Sequence, residues 1–257
     1  MKMDAFGSKI EVTKRGMDRI ATGLPRLDEL LNGGIPRNSI TLISGTPGSC
    51  KTIMCFHYID AGLKNGENCL FLTSDERIEN ILSQAYELGF DFQPYIEEGL
   101  LHFKYLDLDD RNNVHRDMSE TISRGNYSRV VLDSLTPLAE TPVLVTSGGK
   151  EIIPSEESMS STAYAIGSIA ATRTHVRRMI SILNSDDCTA MVTSEIPEGA
   201  HILSRDSISE FLVDGILLLD LDMTMDRRKL TVRKMRGTKH TLKPQNIEIT
   251  ENGIRFV

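Results

Sequence analysis

Eight consecutive residues, GTPGSCKT at positions 45–52, carry the densest chemical information in the chain. Glycines let a loop turn its N–H groups inward around phosphate oxygens, and a helix start adds unpaired donors and a partial positive charge. Gly45, Thr46, Pro47, Gly48, Ser49 and Cys50 would form that loop. Lys51 would then reach the outer phosphates of a nucleotide, and the Thr52 hydroxyl would ligate Mg²⁺. The phosphate-loop pattern wants glycine immediately before the lysine, and here that residue is Cys50. A Cβ at that point strains the turn by about 1 kcal/mol if its φ is positive, and the nearby lysine and helix start are expected to lower the thiol's pKa. Two blander readings stand beside this one: a turn that binds nothing, and a degenerate loop that binds nucleotide poorly.

Three acids complete the candidate chemistry. Asp133 closes the apolar run RVVLD. Alone it would only cap a strand; beside a phosphate loop it becomes the carboxylate that holds Mg²⁺, directly or through water. Asp75 and Glu76 follow another apolar run, in LTSDER. Hydrolysis needs a carboxylate to orient and deprotonate a water in line with the γ-phosphate, and Glu76 is the first candidate, with Asp75 beside it. The competing reading makes both acids helix-start residues favoured by the helix dipole.

These groups need a scaffold that brings distant segments together. Short β-branched or apolar runs at 39–44, 69–73, 101–106, 129–132 and 189–193 predict strands. Between them, 51–63, 76–88 and 163–183 predict helices, the second with Ile78, Ile81, Leu82, Ala85 and Leu88 at helical spacing. Strand–helix alternation implies a parallel sheet, whose ligands gather at the carboxyl ends of the strands. The segments before Gly45, at Asp75–Glu76 and at Asp133 should therefore converge. Strands at 215–221, 229–234, 247–250 and 254–257 follow with short connections and no helix, so they are expected to extend one edge antiparallel. The expectation is one α/β domain over 1–257, with an N-terminal extension (1–19) and a mobile surface loop at 141–162.

Composition narrows the class. With 29 basic and 36 acidic residues in 257, a net charge of −7 and 40% hydrophobic content, the chain reads as an ordinary globular protein rather than a basic nucleic-acid coat. Nothing approaches the roughly 20 apolar residues of a membrane span, and the first residues lack a secretory h-region. Cys50, Cys55, Cys69 and Cys188 have no CxxC spacing and read as free thiols in a reducing cytoplasm. His57, His102, His115, His175 and His201 show no ligand spacing and read as ordinary surface or helix residues.

Taken together, the motifs resemble the KaiC branch of the RecA-type ATPases over nearly the whole chain. The run at 20–52 resembles the family's opening segment, with a Gly-Leu-Asp-like turn at 24–28 and Gly33–Gly34 before the first core strand. Asp75 and Glu76 match its paired acids, Asp133 its Walker B aspartate, VTSEIP at 192–197 the strand beyond, and KMRGTKH at 234–240 its C-terminal signature. The resemblance implies a RecA-like core, ATP and Mg²⁺ as ligands, and a ring homo-oligomer, usually a hexamer, with ATP between neighbours. It further implies that Lys234 and Arg236 reach the γ-phosphate of the adjacent copy, with His240 shaping that interface. Alternation along a strand agrees, placing 234 and 236 on one face. The position of the clock protein's autophosphorylated Ser-Thr pair falls near Ser209–Glu210, so a clock-type autokinase is not expected. Cys50 and Asp75 depart from the family pattern and make slow hydrolysis the expectation. Family roles include recombination control and signalling, so DNA, a recombinase or a signalling protein are the candidate partners.

Residues 227–243 hold eight basic residues and no acid, and Arg173, Arg177 and Arg178 form a second cluster with His175. Both fit either DNA contact or a solvated, subunit-facing surface. With no Trp, eight Phe and six Tyr, a stacking-based single-strand reader is not expected. The alternative to an enzyme is an ATP-gated scaffold or DNA-binding module with negligible hydrolysis.

Overall fold

The computed structural model describes residues 17–108, 114–140, 144–145, 151–152, 163–184 and 187–257. The described residues open with a two-residue strand, Arg19–Ile20 (β1), a short helix Pro25–Leu30 (α1) started by its proline, and Ile35–Pro36 (β2), which pairs antiparallel with β1. Core strands and helices then alternate: Ile40–Gly45 (β3), Lys51–Lys64 (α2), Cys69–Thr73 (β4), Ile78–Glu87 (α3), Gln93–Glu97 (α4), Leu101–Tyr105 (β5), Val114–Gly125 (α5), Arg129–Asp133 (β6) and Thr136–Glu140 (α6). Leu144–Val145 (β7) and Glu151–Ile152 (β8) pair with each other, ahead of Ala163–Leu183 (α7) and Thr189–Glu195 (β9). After Ser209–Leu212 (α8), four strands close the chain: Gly215–Asp222 (β10), Arg227–Met235 (β11), Gln245–Thr250 (β12) and Gly253–Phe256 (β13).

Nine strands form one sheet in the order β13-β12-β11-β10-β3-β9-β6-β4-β5. From β10 through β5 every neighbour is parallel, and β10 to β13 are antiparallel. This is the mostly parallel α/β core with an antiparallel C-terminal edge that the apolar runs imply. The inner parallel strands β3, β4, β6 and β9 are buried on both faces, as helices on both sides require, whereas the edge strand β5 is partly exposed. Alternate residues divide them: Ile43, Phe71, Val131 and Met191 pack with α2 and α3, whereas Leu42, Leu72, Leu132 and Val192 pack with α5 and α7.

One buried cation ties the amino end of this core. Arg129 is 1% exposed at the start of β6. Its Nη1 donates to the carbonyls of Ala21 (2.6 Å) and Tyr58 (2.9 Å), its Nε donates to Glu67, and its guanidinium lies 4.7 Å from the Tyr58 ring centroid. Gly62 leaves the room: a Cβ there would fall on the Arg129 side chain.

Three expectations change. The amphipathic helix starts at Ile78, not 76, which frees Asp75 and Glu76 for the loop. Within 141–162, β7 and β8 pair as a small antiparallel sheet, and the remaining positions lie outside the described residues. Arg19 belongs to β1 rather than to an extension, and residues 1–16 also lie outside.

The histidines are corrected as well. His57 on α2 is buried, and its Nε2 accepts the N–H of Ile254 at 2.8 Å. Burial, then Lys64, lowers its pKa to about 4. His115 on α5 and His175 on α7 are buried against each other, Nε2 to Nδ1 at 2.7 Å. Because His175 Nε2 donates to the Leu138 carbonyl (2.9 Å), its Nδ1 accepts from His115. Burial, then the charges of His175 and Arg178, lowers the His115 pKa to about 3. Sequence spacing missed both because the contacts join residues far apart in the chain. Among the described residues no helix is long and apolar enough to cross a membrane.

Candidate nucleotide site

The register of the sheet builds the site. Gly45 ends β3 opposite Glu195 at the end of β9, and Thr73 ends β4 opposite Asp133 at the end of β6. Four carboxyl ends thus lie side by side, and a cleft of about 510 Å³ opens over them. Its lining includes Lys51, Thr52, Asp75, Glu76, Asp133 and Glu195.

The loop 45–50 rises from β3 and turns into α2. Close packing demands glycine at 45, where a Cβ would meet Ser49 Oγ and the Leu219 carbonyl. Gly48 has φ +77° and Cys50 φ +81°, so the loop takes the left-handed turn for which glycine is the usual residue, and Cys50 carries the strain of its Cβ. The expected drop in the thiol's pKa does not occur: Cys50 is 7% exposed, and burial raises its pKa despite the opposing charges of Arg228 and Lys51. Desolvation outweighs the two cations here. Cys55, Cys69 and Cys188 are also free and buried.

Lys51 Nζ donates to the carbonyls of Gly45 and Thr46, both at 3.1 Å, and lies 3.7 Å from Glu195 Oε1. Burial lowers its pKa, while Glu195 and Asp133 pull the other way. The Thr52 hydroxyl donates to Asp133 Oδ2 at 2.7 Å, and Thr193 Oγ1 donates to Asp133 Oδ1. A hydroxyl and a carboxylate in contact beside a phosphate loop are the hard oxygen donors that suit Mg²⁺. The residues therefore fit that ion, with its remaining positions left to phosphate and water.

Asp75 and Glu76 both reach the cleft but are held differently. Ser134 Oγ donates to Asp75 Oδ2 at 2.7 Å. Burial, with Asp133 and Glu195 adding to it, raises the Asp75 pKa against that bond. Glu76 accepts a bond from Gln84 Nε2 on α3, and Thr73 Oγ1 bonds both its N–H and its carbonyl. Asp75 is thus the acid tied into the Asp133 network, and Glu76 the one braced from the helix.

Two residues enter the site that sequence reasoning did not place there. Glu195, quoted only within VTSEIP, is the counter-ion of Lys51; its signal was its position at the end of a strand. Arg228 on β11 lines the cleft and its Nε donates to the Gly48 carbonyl at 3.3 Å, a placement that only the antiparallel register reveals.

A profile of the family described as "ATPase: KaiC" matches residues 20–147 and 158–257. This chain belongs to that KaiC family. A UPF0273 protein of Methanopyrus kandleri is 32% identical over 243 residues, covering 93% of this chain and 92% of the relative. Another, from Methanocaldococcus jannaschii, is 34% identical over 247 residues, covering 93% and 96%. The circadian clock oscillator protein KaiC 1 of Synechocystis is 26% identical over 249 residues, which are 96% of this chain and 45% of that protein. Among solved structures, the KaiC-like protein PH0186 of Pyrococcus horikoshii superposes with a TM-score of 0.74 at 27% identity, covering 94% of this chain and 99% of that one. Membership in the KaiC family of ATPases supports ATP binding by this chain.

The KaiC-family signature at 234–240 lies elsewhere. Met235 pairs with Gly215, which pairs with Thr41, four residues before Gly45 on β3. At about 3.3 Å per residue this is some 13 Å below the loop, at the amino end of the parallel strands. Lys234 Nζ donates to the carbonyls of Glu210 (3.0 Å) and Val213 (2.6 Å). Arg236 Nη1 meets Asp214 Oδ1 at 3.1 Å. Both cations therefore face one segment, 210–214, although β11 ends at Met235 and Arg236 lies in the turn beyond it, so strand alternation does not place the pair. His240 is half-buried, with Nδ1 3.3 Å from its neighbour's carbonyl at Thr241. The eight basic residues do not form one strip: Arg228 is in the cleft, Arg233 lines a separate hollow over β10, and Lys234 and Arg236 sit at the far end. Arg173 and Arg177 are exposed on α7.

Proposed function

We propose that the protein is a slow, Mg²⁺-dependent ATPase, built as one KaiC-like domain and working as a nucleotide-switched ring of identical copies. The observation that carries this reading is the convergence of Lys51, Thr52, Asp75, Glu76 and Asp133 in one cleft at the strand ends. Loop amides and the α2 amino terminus would cradle the phosphates, and Lys51 would exchange its loop carbonyls for phosphate oxygens. Thr52 and Asp133 would hold Mg²⁺, which supplies charge neutralisation of the phosphates. Glu76 and Asp75 would align the attacking water, the raised pKa of Asp75 favouring its acceptance of a proton.

Lys234 and Arg236 support a head-to-tail assembly. They lie at the end of the sheet opposite their own cleft, so any phosphate they touch belongs to another copy. A cation supplied this way stabilises charge on the transferring phosphoryl group. Copies joined cleft to turn make a heterologous contact, which gives a ring when the rotation between copies closes. Four buried free thiols fit a reducing cytoplasm.

Phosphate release from wild type, Lys51→Ala and Glu76→Gln tests the enzyme reading. Release should stand above background only in wild type; equal background release from all three would sink it. A scaffold reading draws on the Gln84 bond to Glu76, which engages the carboxylate meant to take the proton. It predicts ATP-dependent mass without phosphate release.

A further inference from the structure

The turn that follows Arg236 is braced from outside its own hairpin. Its front is fixed by Asp214, whose carbonyl accepts the Arg236 N–H at 2.9 Å and whose carboxylate meets the Arg236 guanidinium. Its back is held by residues more than two hundred positions earlier. Arg19 Nη2 donates to the Gly237 carbonyl at 3.3 Å, while Nη1 donates to the carbonyls of Leu31 (3.0 Å) and Gly34 (2.9 Å). Asn32 Nδ2 donates to the Lys239 carbonyl at 3.2 Å. Gly237 has φ +65°, and a Cβ there would fall on the end of the Met17 side chain. One planar guanidinium thus joins β1, the end of α1, the approach to β2 and the 237–239 turn. Only arginine offers donors fixed in a fork for three carbonyls at once.

We infer that Arg19 is a positioning residue for catalysis in the neighbouring copy: it locks the turn so that Arg236 is presented at a fixed place. This rests on the reading that Arg236 acts on the next copy's phosphates. Arg19 touches no cleft residue, so it should leave its own copy's nucleotide binding alone. Electrostatic catalysis by a presented cation depends on preorganisation, and displacement of about 1 Å costs one to two orders of magnitude in rate.

The test is subunit mixing. Arg19→Ala alone should lower kcat about tenfold and leave the apparent KM for ATP within about twofold. Coassembled with an excess of Lys51→Ala copies, whose clefts are dead but whose turns are intact, its clefts should recover most of the wild-type rate. A residue that merely supports its own fold would show no such recovery. Gly237→Ala, which crowds Met17 and leaves Arg19 in place, should show the same deficit and the same recovery, and it stands in if Arg19→Ala fails to fold. Arg236→Ala mixed with Lys51→Ala is the control. If that control recovers and neither Arg19→Ala nor Gly237→Ala does, or if both turn over like wild type unmixed, the Arg19 inference is overturned. If the Arg236→Ala control itself stays inactive, the neighbour reading falls and takes the inference with it.

Discussion

The two ends of the parallel strands differ in charge and in how that charge is held. At the carboxyl end, the cleft is lined by four carboxylates, Asp75, Glu76, Asp133 and Glu195, against two cations, Lys51 and Arg228. At the amino end, Lys234 and Arg236 are presented on one segment, braced by Asp214 and by main-chain carbonyls. In the proposed ring, the amino-end cations of one copy would add to the two that line the next copy's cleft. The contrast teaches that carboxylates gather at the carboxyl end of the strands and that cations are held on the segment at the amino end.

The largest expected effect falls on the carboxyl end. Lys51→Ala should weaken ATP binding at least about 100-fold by calorimetric titration, because it removes a charge-assisted contact and leaves Glu195 without its cation. Arg228→Ala should cost about tenfold, more for ATP than for ADP. An Arg228→Ala protein that binds ATP like wild type would show that the cleft needs only one cation of its own.

At the amino end the comparable test is structural. Arg129→Met removes a donor from two carbonyls and leaves Glu67 only its longer ion pair with Arg37, at about 3 kcal/mol, so the melting temperature should fall by roughly 6–12 °C while ATP affinity in the folded protein is kept. An affinity loss as large as that of Lys51→Ala would mean that the two ends are not separable.

Next comes pH. His57 and His115 are held neutral in the fold, with pKa values of about 4 and about 3, and titrate near 6.5 when unfolded. Below pH 6.5 the unfolded chain takes up protons that the fold refuses. Stability is therefore complete above that pH and lost as pH falls towards 4, by about 2 kcal/mol per histidine at pH 5. Urea melts at pH 7.5 and 5 should show this, and His57→Gln should flatten the slope. Smallest is Cys50→Gly: relief of the left-handed Cβ is worth about 1 kcal/mol, offset by the freer unfolded chain and the lost thiol packing. A net stability change within about 0.5 kcal/mol is expected, with nucleotide affinity equal or higher by titration.

Much of this architecture was legible because the parallel strands are short apolar runs and the phosphate loop is contiguous. Helix α5 was missed although Val114, Met118 and Ile122 recur every four residues, because the residues between them are almost all polar. The short helices α4, α6 and α8 span too few turns for periodicity to speak. In the site, Lys51, Thr52 and Asp133 were readable from local pattern. Glu195 and Arg228 were not, since strand pairing brings them to the loop. The thiol of Cys50 was misjudged because neighbouring charge is visible in a sequence and burial is not.

Strand β11 runs the height of the sheet, touching the phosphate loop through Arg228 at its start and leading into the Arg236 turn at its finish. At about 3.4 Å per residue its nine residues span some 27 Å. In the proposed ring, this single strand would link the crevice of one copy to the turn that the same copy offers to the next.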